Sequence, residues 1–167
     1  MENKQYKDNM NKTEQIIKRS VDFVIAACCL IFFSPLAIAC AIAIRLEDGL
    51  PVIYSQERIG LHGKPFFIYK FRSMKIDAEK DGPDLLEIKG DPRLTKVGRF
   101  LRMHHLDELP QLWNVFKGDM AFVGPRPERK FYIDQIMEHD PRYTYLYQIR
   151  PGVTSYATLY LSLIHIS

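Results

Sequence analysis

His104-His105-Leu106-Asp107-Glu108-Leu109-Pro110-Gln111-Leu112-Trp113-Asn114 sets two adjacent carboxylates at the head of an amphipathic pattern. Leu109, Leu112 and Phe116 recur at i, i+3 and i+7, Pro110 is tolerated only in a first helical turn, and Gly118 is a natural stop. The spacing predicts a helix with Asp107 near its N-cap. A carboxylate there meets the positive end of the helix dipole and stays ionised, which suits either a cap or an anionic nucleophile beside a phosphate. Taken alone, the pair reads more often as a cap, so the flanking sequence decides.

Upstream lies Lys96-Val97-Gly98-Arg99-Phe100-Leu101-Arg102. Downstream lie Asn114-Val115-Phe116-Lys117-Gly118-Asp119-Met120 and Val123-Gly124-Pro125-Arg126-Pro127. In this order, after Leu-Asp-Glu-Leu-Pro-Gln, the motifs resemble the bacterial sugar transferase family. These are the monotopic phosphoglycosyl transferases that start assembly of capsule, exopolysaccharide and glycoprotein glycans. The resemblance runs over residues 17–154 and rests on several motifs in a fixed order. It ends near Ile149-Arg150-Pro151-Gly152-Val153-Thr154, which is similar to the family's Arg-Pro-Gly-Ile/Val-Thr turn.

A chain of 167 residues, 47% hydrophobic and 26% charged, allows one modest domain that also carries a membrane-seeking segment. The net charge is only +3, but Lys12, Lys18 and Arg19 stand just before an apolar stretch and Arg45 just after it. That is a membrane-surface pattern and argues against nucleic acid as a partner. Cys28, Cys29 and Cys40 all lie inside the apolar stretch, with no spacing that suggests a disulfide framework or a metal site, and read as small apolar fillers.

Residues 23–44 hold 22 positions without a charge, interrupted only by Ser34-Pro35. At ~1.5 Å per residue this just matches a hydrocarbon core of about 30 Å. Proline removes a backbone donor and a serine hydroxyl can satisfy the freed carbonyl, so the pair marks a bend. Physics leaves two readings open: a kinked span, or a helix that enters, breaks and returns to the same face, which basic residues at both ends favour. The resemblance implies the second, with Ser34 and Pro35 as the membrane break. Asp22 then pairs with Arg19 or Lys18, or caps a helix.

Residues 52–74 read as a β-hairpin with Leu61-His62-Gly63-Lys64 in the connection. Alternation puts Phe67, Tyr69 and Phe71 on one face and Ile68, Lys70 and Arg72 on the other. Two cations on one strand face can hold a diphosphate, although a solvated face is an equal reading. Residues 76–90 form a polar loop able to cover a site. A helix after Asp91-Pro92 turns Leu94, Val97 and Leu101 inward and puts Arg99 and Arg102 on another face, with Arg102 leading to the Asp107 corner. His104 and His105 lack a third ligand at metal spacing and read as surface or packing residues. A short strand ending in Pro125-Arg126-Pro127 holds Arg126 stiffly enough to bind an anion at low entropic cost. Residues 128–147 read as helical, with Phe131, Ile133, Ile136 and Met137 as a core face and a break at Asp140-Pro141.

The fold class expected is α+β. Residues 1–12 form a disordered lead-in, 13–48 a membrane-associated re-entrant helix, 49–160 a small cytoplasmic mixed α/β catalytic domain, and 161–167 an atypical tail. The family carries a further C-terminal helical region where this chain has Ser155-Tyr156-Ala157-Thr158 and an unmatched tail, so a truncated or misread gene product is expected, and an inactive fragment is an alternative.

The resemblance implies transfer of a sugar 1-phosphate from a UDP-sugar to undecaprenyl phosphate, with release of UMP, at the cytoplasmic face of the bacterial inner membrane. It implies Asp107 as the nucleophile forming a phospho-aspartyl intermediate, and Glu108 with Asp107 as ligands of Mg2+. Lys70, Arg72, Arg102, Arg126 and Arg150 would bind the nucleotide sugar and the polyprenyl phosphate lipid. A homodimer is left open. One rival is a non-catalytic membrane-anchored module in which Asp107 only caps a helix. A glycosidase is the other, and adjacency argues against it, because paired carboxylates flanking a sugar must face each other across about 5–9 Å.

Overall fold

A computed structural model describes residues 10–76, 78, 91–139 and 141–155. Residues 1–9 of the lead-in expected at 1–12, nearly all of the polar loop at 76–90, the break residue Asp140 and the tail at 161–167 lie outside the described residues, whereas Asn11 and Lys12 of that lead-in already cap and open a helix.

Helix α1 (Lys12–Phe32) begins on a capping box: Asn11 Oδ1 accepts the Glu14 amide at 2.9 Å, and Glu14 Oε2 accepts the Asn11 amide at 2.8 Å. Phe33 joins it to α2 (Ser34–Asp48), and the two axes are bent by 59°. The bend has a chemical cause. The Ile31 carbonyl would ordinarily accept from residue 35, which is proline, and Ser34 Oγ donates to it instead at 2.7 Å. Pro35 then occupies the first turn of α2, the one helical location where its missing N–H is harmless. This is the helix–break–helix expected from Ser34-Pro35. No single described helix is long and apolar enough to cross a membrane, whereas the bent pair together meets that test by length and composition.

One side of each helix enters the domain core. Ala26 of α1 packs with Ile68, Val115 and Met120, and Cys40 and Ile44 of α2 pack with Phe71 and Leu101. The other side leaves Ile16, Val24, Ile31, Phe32, Ile38, Ile42 and Leu46 exposed, an apolar surface running along both helices. Polar ties reinforce the packing. Arg19 donates to the Val115 and Phe116 carbonyls at 2.7 Å each, and Asp22 pairs with Lys18 at 3.1 Å while accepting the Phe122 amide at 3.4 Å.

Strands β1 (Ile53–Ile59) and β2 (Pro65–Phe71) form the expected antiparallel hairpin, with Gln56 opposite Ile68 and Tyr54 opposite Lys70. The Ile68, Lys70 and Arg72 face is the inner one, and Phe67 is exposed. Phe71 is also buried, because the end of the strand reaches α2 and α3 (Lys96–Met103). Thr95 and Glu47 cap α3: Thr95 Oγ1 accepts the Gly98 amide at 2.8 Å, and the Glu47 carboxylate of α2 takes the Lys96 and Val97 amides at 2.7 and 2.8 Å. Gly98 is required there, since any Cβ would collide with the Ser73 carbonyl.

Helix α4 (Gln111–Lys117) ends at Gly118, whose φ of 97° suits glycine. Strand β3 (Ala121–Val123) pairs in parallel with β4 (Gly152–Thr154). Between them come α5 (Lys130–His139) and a 3-10 stretch, Pro141–Gln148. The core face predicted for α5 is only partly realised. Ile133 is buried, whereas Phe131 and Ile136 are exposed, because a ten-residue helix packed on the 3-10 stretch buries a narrow stripe.

Candidate active site

Asp107 does not sit at a helix N-cap. It is the middle residue of a separate 3-10 turn, Leu106–Glu108, and α4 begins only at Gln111 with Pro110 as its cap residue. The helix predicted from Leu109 is therefore split by Pro110, and the expectation that a helix dipole keeps Asp107 ionised is overturned. The turn is set by His105, whose φ of 54° reverses the chain at the end of α3. Leu106 and Leu109 pin it against the Cys40–Leu101 cluster, leaving both carboxylates to face a cleft.

Asp107 is 6% exposed. Burial pushes its carboxyl above the ordinary range and adjacent Glu108 adds to this, while the Lys70 and Arg102 cations pull the other way. Glu108 behaves oppositely. Burial acts upward on it too, but Lys70, with Nζ 2.7 Å from Glu108 Oε1, outweighs that and holds the group low, with Arg126 assisting. The two carboxyls are thus pushed apart, the pattern that separates acid–base and nucleophilic roles in enzymes.

Each cation is placed by identifiable contacts. Lys70 follows Tyr69, whose amide donates to Asn114 Oδ1 at 3.1 Å, while Asn114 Nδ2 donates to the Phe67 carbonyl at 2.7 Å. Asn114 is fully buried and takes the place of a neighbouring strand beside β2. Arg102 is steadied by Ser73 Oγ at 2.9 Å. Arg126 rides on a turn held from both sides: Gly152 donates to the Pro125 carbonyl at 2.9 Å, and Arg58 donates to the Pro127 carbonyl at 3.2 Å.

Lys70, Arg102, Asp107 and Arg126 border two cavities at once. One, about 420 Å³, extends past His105 and Glu108 to Thr154 and Ser155 at the end of β4. The other, about 390 Å³, extends under β1 past Tyr54, Gln56 and Arg58 to Arg72 and Arg129. Both fall within the roughly 300–1,000 Å³ of small-ligand sites. Asp107 stands where they meet.

The other predicted binding residues are placed differently. Arg72 borders the β1 cavity, but its Nη2 is tied to the Asp48 and Gly49 carbonyls at 2.8 and 3.0 Å and lies 3.2 Å from the Asp48 carboxylate. Arg150 lies apart from the cluster and donates through Nε to the Gly118 carbonyl at 3.0 Å, closing the end of α4. His104 packs on Phe100, and His105 borders the β4 cavity. Sequence reasoning missed Tyr54, Gln56, Arg58 and Arg129, although the i, i+2, i+4 spacing of the first three on a strand was available.

No three His, Cys, Asp or Glu side chains converge among the described residues. Asp107 and Glu108 border the same cavity, with Lys70 already on Glu108, so a divalent ion held there would take most of its ligands from phosphate oxygens and water.

The sequence profile of the bacterial sugar transferase family matches residues 13–164. The chain is 43% identical over 141 residues to the UDP-N-acetylgalactosamine-undecaprenyl-phosphate N-acetylgalactosaminephosphotransferase of Aeromonas hydrophila, covering 84% of this chain and 33% of that protein. It is 46% identical over 141 residues to the UDP-glucose:undecaprenyl-phosphate glucose-1-phosphate transferase of Caulobacter vibrioides, covering 84% of this chain and 52% of that protein. It is 39% identical over 154 residues to the protein of the same name from Escherichia coli, covering 92% of this chain and 33% of that protein. The chain therefore spans between one third and about half the length of these relatives.

Proposed function

This chain belongs to the bacterial sugar transferase family, and we propose that it transfers a sugar 1-phosphate from a UDP-sugar to undecaprenyl phosphate, releasing UMP. The observation that carries the reading is Asp107: a buried carboxylate among Lys70, Arg102 and Arg126 at the junction of two cavities. A cap or a solvated surface acid needs none of these. The named relatives, which act on undecaprenyl phosphate, support the choice of acceptor.

Asp107 Oδ attacks the β-phosphorus of the donor. An O–P bond forms to the carboxylate, the bond from phosphorus to the UMP oxygen breaks, and UMP leaves with the electron pair. An oxygen of undecaprenyl phosphate then attacks the same phosphorus and displaces Asp107, giving the polyprenyl diphosphate sugar and a free carboxylate. Splitting the reaction lets a soluble substrate and a lipid-anchored one use one site in turn. Burial strips water from the Asp107 carboxylate and raises its pKa, and Lys70 opposes that rise in favour of the attacking, ionised form. Arg102 and Arg126 offset the charge on the equatorial oxygens. Mg2+, held by Glu108 and Asp107, would neutralise diphosphate charge as the two anions approach.

The exposed apolar side of α1 and α2 is read as a membrane dip that returns to the cytoplasmic face of the inner membrane. There the acceptor headgroup and the soluble donor are both within reach. The product would start capsule, exopolysaccharide or another surface glycan. The test is UMP release from UDP-glucose and UDP-N-acetylgalactosamine, with and without undecaprenyl phosphate. Acceptor-dependent turnover is expected with at least one donor, and its absence with a panel of UDP-sugars sinks the reading in favour of a non-catalytic module.

A further inference from the structure

Displacement at phosphorus is in line, so the leaving group departs opposite the attacking oxygen while the sugar projects to one side. The nucleotide and the sugar must therefore leave Asp107 in different directions, and two cavities diverge from it. Resting on the function proposed above, we infer that the β1 cavity receives the nucleotide of the donor and the β4 cavity receives its sugar.

The two linings differ in chemistry. Beyond the shared residues, the β1 cavity adds Arg58, Arg72, Lys75 and Arg129 and, among the described residues, no further acid. The β4 cavity adds the acid Glu108, the imidazole of His105, and Thr154 and Ser155 with their hydroxyls. A nucleoside diphosphate is the anionic, flat part of the donor, whereas a hexose is neutral and rich in hydroxyls.

The β1 wall is also built for a heterocycle. Tyr54, Gln56 and Arg58 alternate along one strand face and are joined in a row: Gln56 Nε2 donates to the Tyr54 hydroxyl at 2.8 Å, and Arg58 Nη2 donates to Gln56 Oε1 at 2.6 Å. Arg58 continues the row to the Pro127 carbonyl, beside Arg126. The row thus presents an aromatic ring and an amide at one end and a cation at the end nearer Arg126. That order suits a base followed by its phosphates.

A second observation points the same way. Arg72 is 6% exposed, yet among the described residues its Nε and Nη1 have no hydrogen-bond partner, and neither has Nε of Arg58. Both guanidinium groups line the cavity, and their positive charge on a partly desolvated wall favours an anion there.

The experiment uses the full chain in detergent or lipid nanodiscs with Tyr54→Leu, Tyr54→Phe and Arg129→Gln, each checked for an unchanged melting temperature. The probes are UMP alone in equilibrium binding, and the KM values for UDP-sugar and undecaprenyl phosphate in turnover. Tyr54→Leu is expected to weaken UMP binding and raise the UDP-sugar KM by at least about fivefold, the effect of losing a base-stacking ring. Tyr54→Phe, which keeps the ring, should recover most of the loss, and Arg129→Gln should weaken UMP binding without loss of fold. In all three the KM for undecaprenyl phosphate should stay near the parent value. Unchanged UMP binding in both Tyr54→Leu and Arg129→Gln overturns the assignment, as does a raised undecaprenyl phosphate KM with the donor KM unmoved, which would make the cavity the acceptor's. A parent that releases no UMP in turnover rejects the proposed function instead, and the UMP-binding arm still reads the cavity.

Discussion

Lys70 Nζ lies 2.7 Å from Glu108 Oε1, and the same ammonium is the largest attraction acting on Asp107, one residue earlier. One cation thus serves two carboxyls whose proton affinities move in opposite directions. Asp107 must be ionised to attack, so activity is lost as pH falls through its raised pKa. The acid limb of kcat is expected above the roughly 3.9 of an ordinary aspartate. Lys70→Gln removes the main downward pull and should move that limb to higher pH. A pH–rate profile of the pair checks this, with substrate titration common to both; an unmoved limb contradicts it.

Asp107→Asn should abolish transfer without destabilising the protein. A group whose folded pKa is raised opposes folding once ionised, so at neutral pH the amide removes a penalty. The melting temperature is expected to equal or exceed that of the parent. A fall equivalent to about 1 kcal/mol, with activity retained, would be the signature of a cap.

Asn114→Ala should act on stability first. It leaves the Phe67 carbonyl and the Tyr69 amide without the partner that the fully buried Asn114 side chain supplies, at roughly 1–2 kcal/mol each. A loss of roughly 2–4 kcal/mol in urea unfolding is expected, with residual activity reduced because Lys70 is next along the strand. A loss under about 0.5 kcal/mol would show that β2 holds its place without the clamp.

The membrane dip is tested at Pro35. Pro35→Ala restores the donor for the Ile31 carbonyl and allows α1 and α2 to fuse into one straight helix. A cysteine placed at Ser55, in a background where Cys28, Cys29 and Cys40 are serine or alanine, reports the side occupied by the strand. Cytoplasmic labelling of the parent, with part of the Pro35→Ala population labelled from the far side, is expected. Far-side labelling of the parent itself rejects the re-entrant reading.

The Ser34-Pro35 break, the β1–β2 hairpin, the inward Leu101 and the short strand before Arg126 were legible because each rests on local chemistry: a missing donor, a two-residue alternation, a turn. What escaped was set by distant contacts. The sequence around Leu109 carries a helical period, yet Pro110 and the Leu106–Leu109 contact with α2 and α3 break off a separate turn holding Asp107. Lys70 and Arg72 share a strand face, yet Asp48 at the end of α2 ties Arg72 down and leaves Lys70 to Glu108. Arg150 sits in a family-like motif, yet its guanidinium closes α4. Only the tertiary fold shows Tyr54, Gln56 and Arg58 beneath the same cavity as Asp107.

The most direct test of covalent transfer through Asp107 is rapid-quench measurement of UMP when the enzyme is mixed with excess UDP-sugar in the absence of undecaprenyl phosphate. A burst approaching one UMP per active site, absent from Asp107→Asn and followed by turnover only when acceptor is added, is the expected result. Release of UMP only after acceptor addition, with no burst, would contradict a phospho-aspartyl intermediate and point to direct transfer between the two substrates.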